Sequence, residues 1–137
     1  MFFKKKIEKQ SNNQLIKIAA LMIHAGKIDE NFSKQEEMII KQSLLKMGAN
    51  TENIEEILEQ SKAIEENANQ ILDFTKEVKV MDEKKKIEII ETLWRIIYSN
   101  KDADIYETNL MRRLAGLMYI DNKIMGSIKE KIKKEIL

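Results

Sequence analysis

Apolar residues recur along the chain at three- and four-residue intervals almost without interruption. Seven segments carry this helical period. The first, 12–25, places Leu15, Ile18, Ala19 and Met22 on one face; the second, 33–47, places Ile39, Ile40, Leu44 and Met47. The third, 51–66, uses Ile54, Ile57, Leu58 and Ile64, and the fourth, 68–80, uses Ile71, Phe74, Thr75 and Val78. The fifth, 82–99, uses Ile87, Ile90, Leu93, Trp94 and Ile97. The sixth, 104–119, uses Leu110, Met111, Leu114, Leu117 and Met118, and the seventh, from Asp121, uses Ile124, Ile128 and Ile132. No segment alternates as a strand would, and Val, a strong strand former, occurs twice. The connections are too short to hold a linker. The pattern therefore predicts an all-α fold of seven to eight helices in one bundle. It forms a single domain over 1–137, with 1–11 read as a frayed leader.

Helix ends are legible in the same way. Ser33-Lys34-Gln35-Glu36 and Asp104-Ile105-Tyr106-Glu107 both fit the capping box, in which the first side chain accepts an orphan N–H and the Glu reaches back. Asp82 is a third cap candidate, and Gly26 and Gly48 sit at expected helix ends. Gly116 and Gly126 fall inside expected helices, where each costs about 1 kcal/mol relative to Ala. Close approach of a neighbouring helix is the expectation at Gly116.

The two capping boxes lie 71 residues apart. That offset carries Ile39 onto Leu110, Ile40 onto Met111, Met47 onto Met118, Ile57 onto Ile128 and Asn50 onto Asp121. Ser43 against Leu114 and Leu58 against Lys129 do not match. The expectation is two related helix-loop-helix halves, neither able to bury its apolar face alone.

Composition narrows the chemistry. The 137 residues contain no Cys, no Pro and one His, so disulfides, thiol catalysis, Cys-based zinc sites and serine–histidine hydrolysis are excluded or disfavoured. The 24 basic and 23 acidic side chains leave a net charge of +1, without the excess that draws a chain to nucleic acid. The Lys84-Lys85-Lys86 run and the lysines from Lys129 to Lys134 are interspersed with Glu and Ile and read as solvated helix faces. The Met1-Phe2-Phe3-Lys4-Lys5-Lys6 start lacks the order of a signal peptide, and two Phe beside three Lys fall below what stable membrane anchoring requires. A cytoplasmic protein without membrane insertion is expected.

Two stretches stand out. One is Ala20-Leu21-Met22-Ile23-His24-Ala25-Gly26-Lys27-Ile28-Asp29, continuing to Glu36. The other is Leu93-Trp94-Arg95-Ile96-Ile97-Tyr98-Ser99-Asn100, then Tyr106-Glu107, then Leu110-Met111-Arg112-Arg113-Leu114-Ala115. At these residues the sequence resembles the TerB-like family, helical domains related to the tellurite-resistance protein TerB. Similar domains occur at the N-terminus of some membrane-associated DnaJ-type co-chaperones. The resemblance covers about 14–132. It implies a stress- or metal-related role. The family's Asp-Gly loop reads Asp29-Glu30 in the first half and Asn100-Lys101 in the second, which removes a flexible residue from both and a carboxylate from one.

These loops hold the candidate chemistry. Asp29, Asn31, Ser33 and Glu36, and 71 residues on Asn100, Asp102, Asp104 and Glu107, place oxygen ligands at positions 1, 3, 5 and 8. Calcium or magnesium takes such hard donors. An EF-hand is not the match, because the turn position is Lys34 or Ile105 and position 12 is Ile40 or Met111. The competing reading makes Ser33, Asp104 and both Glu helix caps, with the other residues shaping turns. Arg95, Arg112 and Arg113 are the candidate partner-binding cations, against the commoner fate of pairing with nearby carboxylates. His24 and Trp94 read as packing residues.

The function expected is a non-enzymatic binding module that engages a protein partner, with a divalent cation or a basic partner at the acidic loops. A carboxylate–metal phosphoester hydrolase and a purely structural interaction domain are the alternatives, and a homodimer is left open.

Overall fold

The computed structural model describes the backbone of residues 2–27, 33–67, 71–99 and 105–136, and the side chains of 12–27, 33–67, 71–99 and 109–135. Seven helices account for nearly all of these residues: α1 (Phe2–Gly26), α2 (Lys34–Lys46), α3 (Ile54–Asn67), α4 (Leu72–Lys79), α5 (Glu83–Tyr98), α6 (Ile105–Leu117) and α7 (Asn122–Ile136). No strand occurs among the described residues.

α1 is the axis of the bundle. It packs most extensively against α3, and then against α4, α5 and α2. The expected one-sided face of α1 is an underestimate. Every residue from Ile18 to Ile23 is buried, as are Leu15, Ile16 and Ala25. A helix surrounded on all sides has no polar face to keep, and the run Ile18-Ala19-Ala20-Leu21-Met22-Ile23 provides none. α1 also begins at Phe2, well before the expected start at 12. A buried polar link ties it to α3: the Ser61 hydroxyl bonds the carbonyl of Ile16 at 3.0 Å and that of Ile57 at 2.6 Å.

The second layer is α5 with α2 and α7. α5 buries Ile89, Ile90, Leu93, Trp94, Ile96 and Ile97. Asp82 caps it as expected, accepting from the Lys85 N–H at 2.9 Å. α2 and α5 are joined at mid-height by the buried Ser43 and Thr92 hydroxyls, 2.7 Å apart. The offset that aligned Ser43 with apolar Leu114 therefore hides a polar contact belonging to α2 alone. Ile64, expected in the core, is 41% exposed at the end of α3.

α2 closes with a Schellman motif. Gly48 takes φ +115°, the Ala49 N–H bonds the Leu44 carbonyl at 3.0 Å, and the Gly48 N–H bonds that of Leu45 at 3.4 Å. Asn50 then accepts from the backbone N–H of Glu52 and Asn53, turning the chain into α3. The expectation for Gly116 fails: a Cβ built there meets nothing within 4 Å, so no neighbouring helix requires the glycine. The same holds for Gly126.

Candidate functional site

The first acidic segment ends in a built structure. Ser33 is the N-cap of α2, and Glu36 is the third residue of the helix. The Ser33 Oγ accepts from the Glu36 N–H at 3.1 Å, and Glu36 Oε1 accepts from the Ser33 backbone N–H at 3.2 Å and from its hydroxyl at 3.0 Å. Glu36 is fully buried. Its carboxylate is thus fixed at the positive end of α2, with one oxygen committed to the cap. The predicted capping box forms, and any ligand at this segment would meet a Glu36 whose orientation is already set.

The other predicted ligands cannot be placed against it. Asp29, Asn31, Asn100, Asp102 and Asp104 lie outside the described residues, and Glu107 belongs to α6 with its side chain outside them. The second capping box, Asp104 to Glu107, falls in the same region. Among the described residues no group of three His, Asp or Glu side chains is arranged to hold a metal ion.

The three candidate arginines divide. Arg95 on α5 reaches α7, where its Nε and Nη2 donate to the two carboxylate oxygens of Glu135 at 2.9 and 3.3 Å. It also lies 3.5 Å from Glu91 one turn earlier, and Glu91 in turn takes Lys131 at 3.3 Å. The hydrogen bond from Arg95 holds the Glu135 carboxyl below its ordinary value, and that to Glu135 raises the guanidinium. This network clamps α5 to α7, so Arg95 has a structural employment. Arg112 and Arg113 are exposed on α6. A second network was not visible in the sequence: Glu65 at the end of α3 meets Lys27 at 2.7 Å and Nδ1 of His24 at 3.3 Å, which places His24 on the rim of the bundle. His24 near the end of α1 and Lys27 just after it are three residues apart, but nothing in their spacing names a partner on another helix.

A cavity of about 530 Å³ is a cleft between α2 and α5. Ile39 and Met47 line one wall and Ile87 the other, with Ser43 and Thr92 at mid-height. Lys46, Lys84, Arg95 and Glu135 stand along its margin. A second cavity of about 250 Å³ continues it toward α1, sharing Lys46, Met47, Lys84 and Glu88. Sequence pattern placed the apolar residues in the core; only the packing of α2 on α5 leaves them at an open cleft.

The fold and these sites define an all-helical domain organised around a buried first helix, with its polar chemistry at helix ends and interhelical ion pairs. The family model described as tellurite resistance protein TerB matches residues 15–130, and the chain belongs to that family. The match begins at Leu15, the first buried position among the described side chains of α1. Neither the curated proteins nor the solved structures hold a significant match to the chain. No helix among the described residues is long and apolar enough to cross a membrane.

Proposed function

We propose that this TerB-family domain is a non-enzymatic binding module of stress- or metal-related physiology. Its working surface is the pair of acidic segments 29–36 and 100–107. They engage either a divalent cation or a basic protein partner. The observation that carries this reading is Glu36. A carboxylate buried at the head of α2 is held there by its own capping box, which puts fixed negative charge at the helical end of the first acidic segment. Burying an ionised carboxylate is unfavourable unless it is well bonded. A well-bonded carboxylate five and seven residues on in sequence from Asn31 and Asp29 supports a segment that gathers oxygen donors. The 71-residue offset, read as a duplication, supplies the second segment from the other half.

Calcium and magnesium titrations followed by amide NMR test the cation branch. Saturable shifts at Asp29, Asn31, Asp102 and Asp104 at millimolar metal support it, and unmoved Asp29 and Asp102 amides sink it. Pull-down with wild type and an Asp102→Asn, Asp104→Asn, Glu107→Gln variant tests the partner branch. Retention of the same basic protein by both forms would remove the acidic segment from the interface.

A further inference from the structure

We propose that a second copy of this chain docks its α7 on the outward face of α3, so that copies associate head to tail. Neither acidic segment takes part, and either reading can fail without the other.

α3 turns a stripe of acid to solvent. Glu56, Glu59, Ala63 and Glu66 are all exposed, and their 3-4-3 spacing sets them within about 80° of one another around the helix. The cations that border the stripe are committed elsewhere: Lys41 to Glu55 at 2.7 Å, Lys62 to Glu37 at 3.2 Å and Lys27 to Glu65 at 2.7 Å. Glu56 accepts from the Gln60 side-chain amide at 3.1 Å. None of the three acids of the stripe has an ion pair among the described residues. α7 turns the opposite sign outward. Lys123, Ser127, Glu130 and Lys134 are exposed at 4-3-4 spacing, within about 60° of one another, and exposed Lys133 stands beside them. These three lysines have no ion pair among the described residues either, whereas Glu135 on the same helix is taken by Arg95.

The chain therefore carries both sides of a complementary contact, and their spacings match. Laid antiparallel, Ala63 faces Ser127, Glu66 faces Lys123 and Glu56 faces Lys134. The small Ala63 and Ser127 let the two backbones approach at the middle of the contact. Gly126 adjoins Ser127, and a Cβ built there meets nothing in its own chain, which leaves room for another. Glu59 meets Glu130, a like pair, with Lys133 three residues along α7 from Glu130 to offset it. α1 and α5 pack on each other, α3 on α1 and α7 on α5, so the two stripes stand on different flanks of the bundle. A contact between unlike surfaces leaves one of each free on the pair, so association continues into chains or rings. The contact is polar, which makes it weak and sensitive to salt.

Sedimentation velocity of the full chain at up to about 1 mM tests this. The mean mass should rise above the 16.1 kDa of one copy at about 20 mM salt and return to it at about 0.5 M. Glu56→Lys with Glu66→Lys should abolish the rise, as should Lys123→Glu with Lys134→Glu. Mixing those two double variants should restore it, because their faces are complementary again. All four positions are exposed, so helical signal and Tm should stay close to wild type. Lys84→Glu with Lys85→Glu makes the same net charge change at exposed positions of α5 and should leave association intact. Glu130→Lys should strengthen it. The chain has no Cys, so Ala63→Cys and Ser127→Cys chains mixed under mild oxidation report the register. Disulfides should join unlike variants in preference to like ones. A monomer at every concentration, association indifferent to salt, equal loss from the α5 variant, or disulfides favouring like variants would overturn the proposal.

Discussion

Tyr119 occupies the same helix-closing position at the end of α6 that Gly48 occupies at the end of α2, 71 residues earlier. α2 spans 34–46 and α6 spans 105–117, so the two helices coincide under that offset. Both end in a Schellman motif: the Ile120 N–H bonds the Ala115 carbonyl at 2.9 Å, as the Ala49 N–H bonds that of Leu44. The difference is the residue at the turn. Gly48 adopts positive φ without penalty, whereas Tyr119 holds φ +56° with a side chain that is 71% exposed. The Lys79 ammonium sits 4.4 Å from its ring, which offsets part of the strain.

Tyr119→Gly should therefore stabilise the domain, by up to about 1 kcal/mol, the cost an L-residue meets in the left-handed region. The gain should be larger in a Lys79→Ala background, where no cation–π contact is lost, by about 0.5 kcal/mol. Gly48→Ala should move the other way by about 1 kcal/mol or more, because φ +115° is strained for any side chain whatever the space around it. Urea unfolding of wild type, the three single variants and the Tyr119→Gly, Lys79→Ala double variant decides this. Destabilisation by Tyr119→Gly in the Lys79→Ala background would refute the assignment of strain.

Trp94 presents a different kind of cost. Its indole is 2% exposed, yet its Nε1–H has no hydrogen-bond acceptor among the described residues. The ring is otherwise well used, stacked on Tyr98 at 5.8 Å and covered by the Lys129 ammonium at 5.5 Å. A buried donor without an acceptor costs about 1–3 kcal/mol. Trp94→Phe removes that donor while leaving an aromatic ring in place, so its net cost should fall within about 1 kcal/mol. Trp94→Ala should cost about 3–5 kcal/mol. Equal, large losses from both substitutions would mean that the N–H finds a partner.

The Arg95–Glu135 clamp sets an acid-side dependence. Glu135 is held below its ordinary value of 4.5, so the folded state binds its proton less readily than the unfolded state does. The stability this contributes is fully present above that value and is lost as the pH falls through the depressed folded value. Half of the Glu135 side chain is exposed, so solvent screening keeps the contribution to about 1 kcal/mol or less. Glu135→Gln should lower the Tm at pH 7 by a degree or two, and the difference from wild type should vanish at strongly acid pH. A gap that persists unchanged into acid would assign the effect to lost packing.

What could be read from the sequence follows what each residue's environment depends on. Helix periods and caps are local, so the seven helices, the Ser33–Glu36 capping box, the Asp82 cap and the Gly48 turn were all legible. Tyr119 was not, because a tyrosine gives no sign of positive φ. Glu65 with His24 and Lys27, and Arg95 with Glu135, depend on which helices become neighbours, and spacing within one helix does not encode that. The α2–α5 cleft escaped notice for the opposite reason: Ile39, Met47 and Ile87 look like core residues, and only the way α2 packs on α5 leaves them lining a cleft. Gly116 shows the same limit, since the close approach expected there required a neighbouring helix on a side of α6 where none lies.

The strongest constraint is on the small residues of α1. Ala19 and Ala20 are fully buried side by side, with Leu21 and Met22 buried next to them on the rest of the circumference. Leu21→Ala should cost about 2–5 kcal/mol through the cavity it leaves. A pattern-based reading would treat Ala20→Leu as harmless or even stabilising, because it adds apolar surface within the apolar run Ile18–Ile23. Packing argues otherwise. α1 is enclosed by α2, α3, α4 and α5, so three extra heavy atoms at Ala20 would have to push a whole helix outward. Overpacking of this kind costs about 1–3 kcal/mol or more, so Ala20→Leu should destabilise the domain even though it raises total hydrophobicity. The same substitution at exposed Ala63 on α3 should change stability by less than about 0.5 kcal/mol. Thermal unfolding of the two variants side by side tests the point, and equal Tm values would mean that α1 has room around it that the structure does not contain.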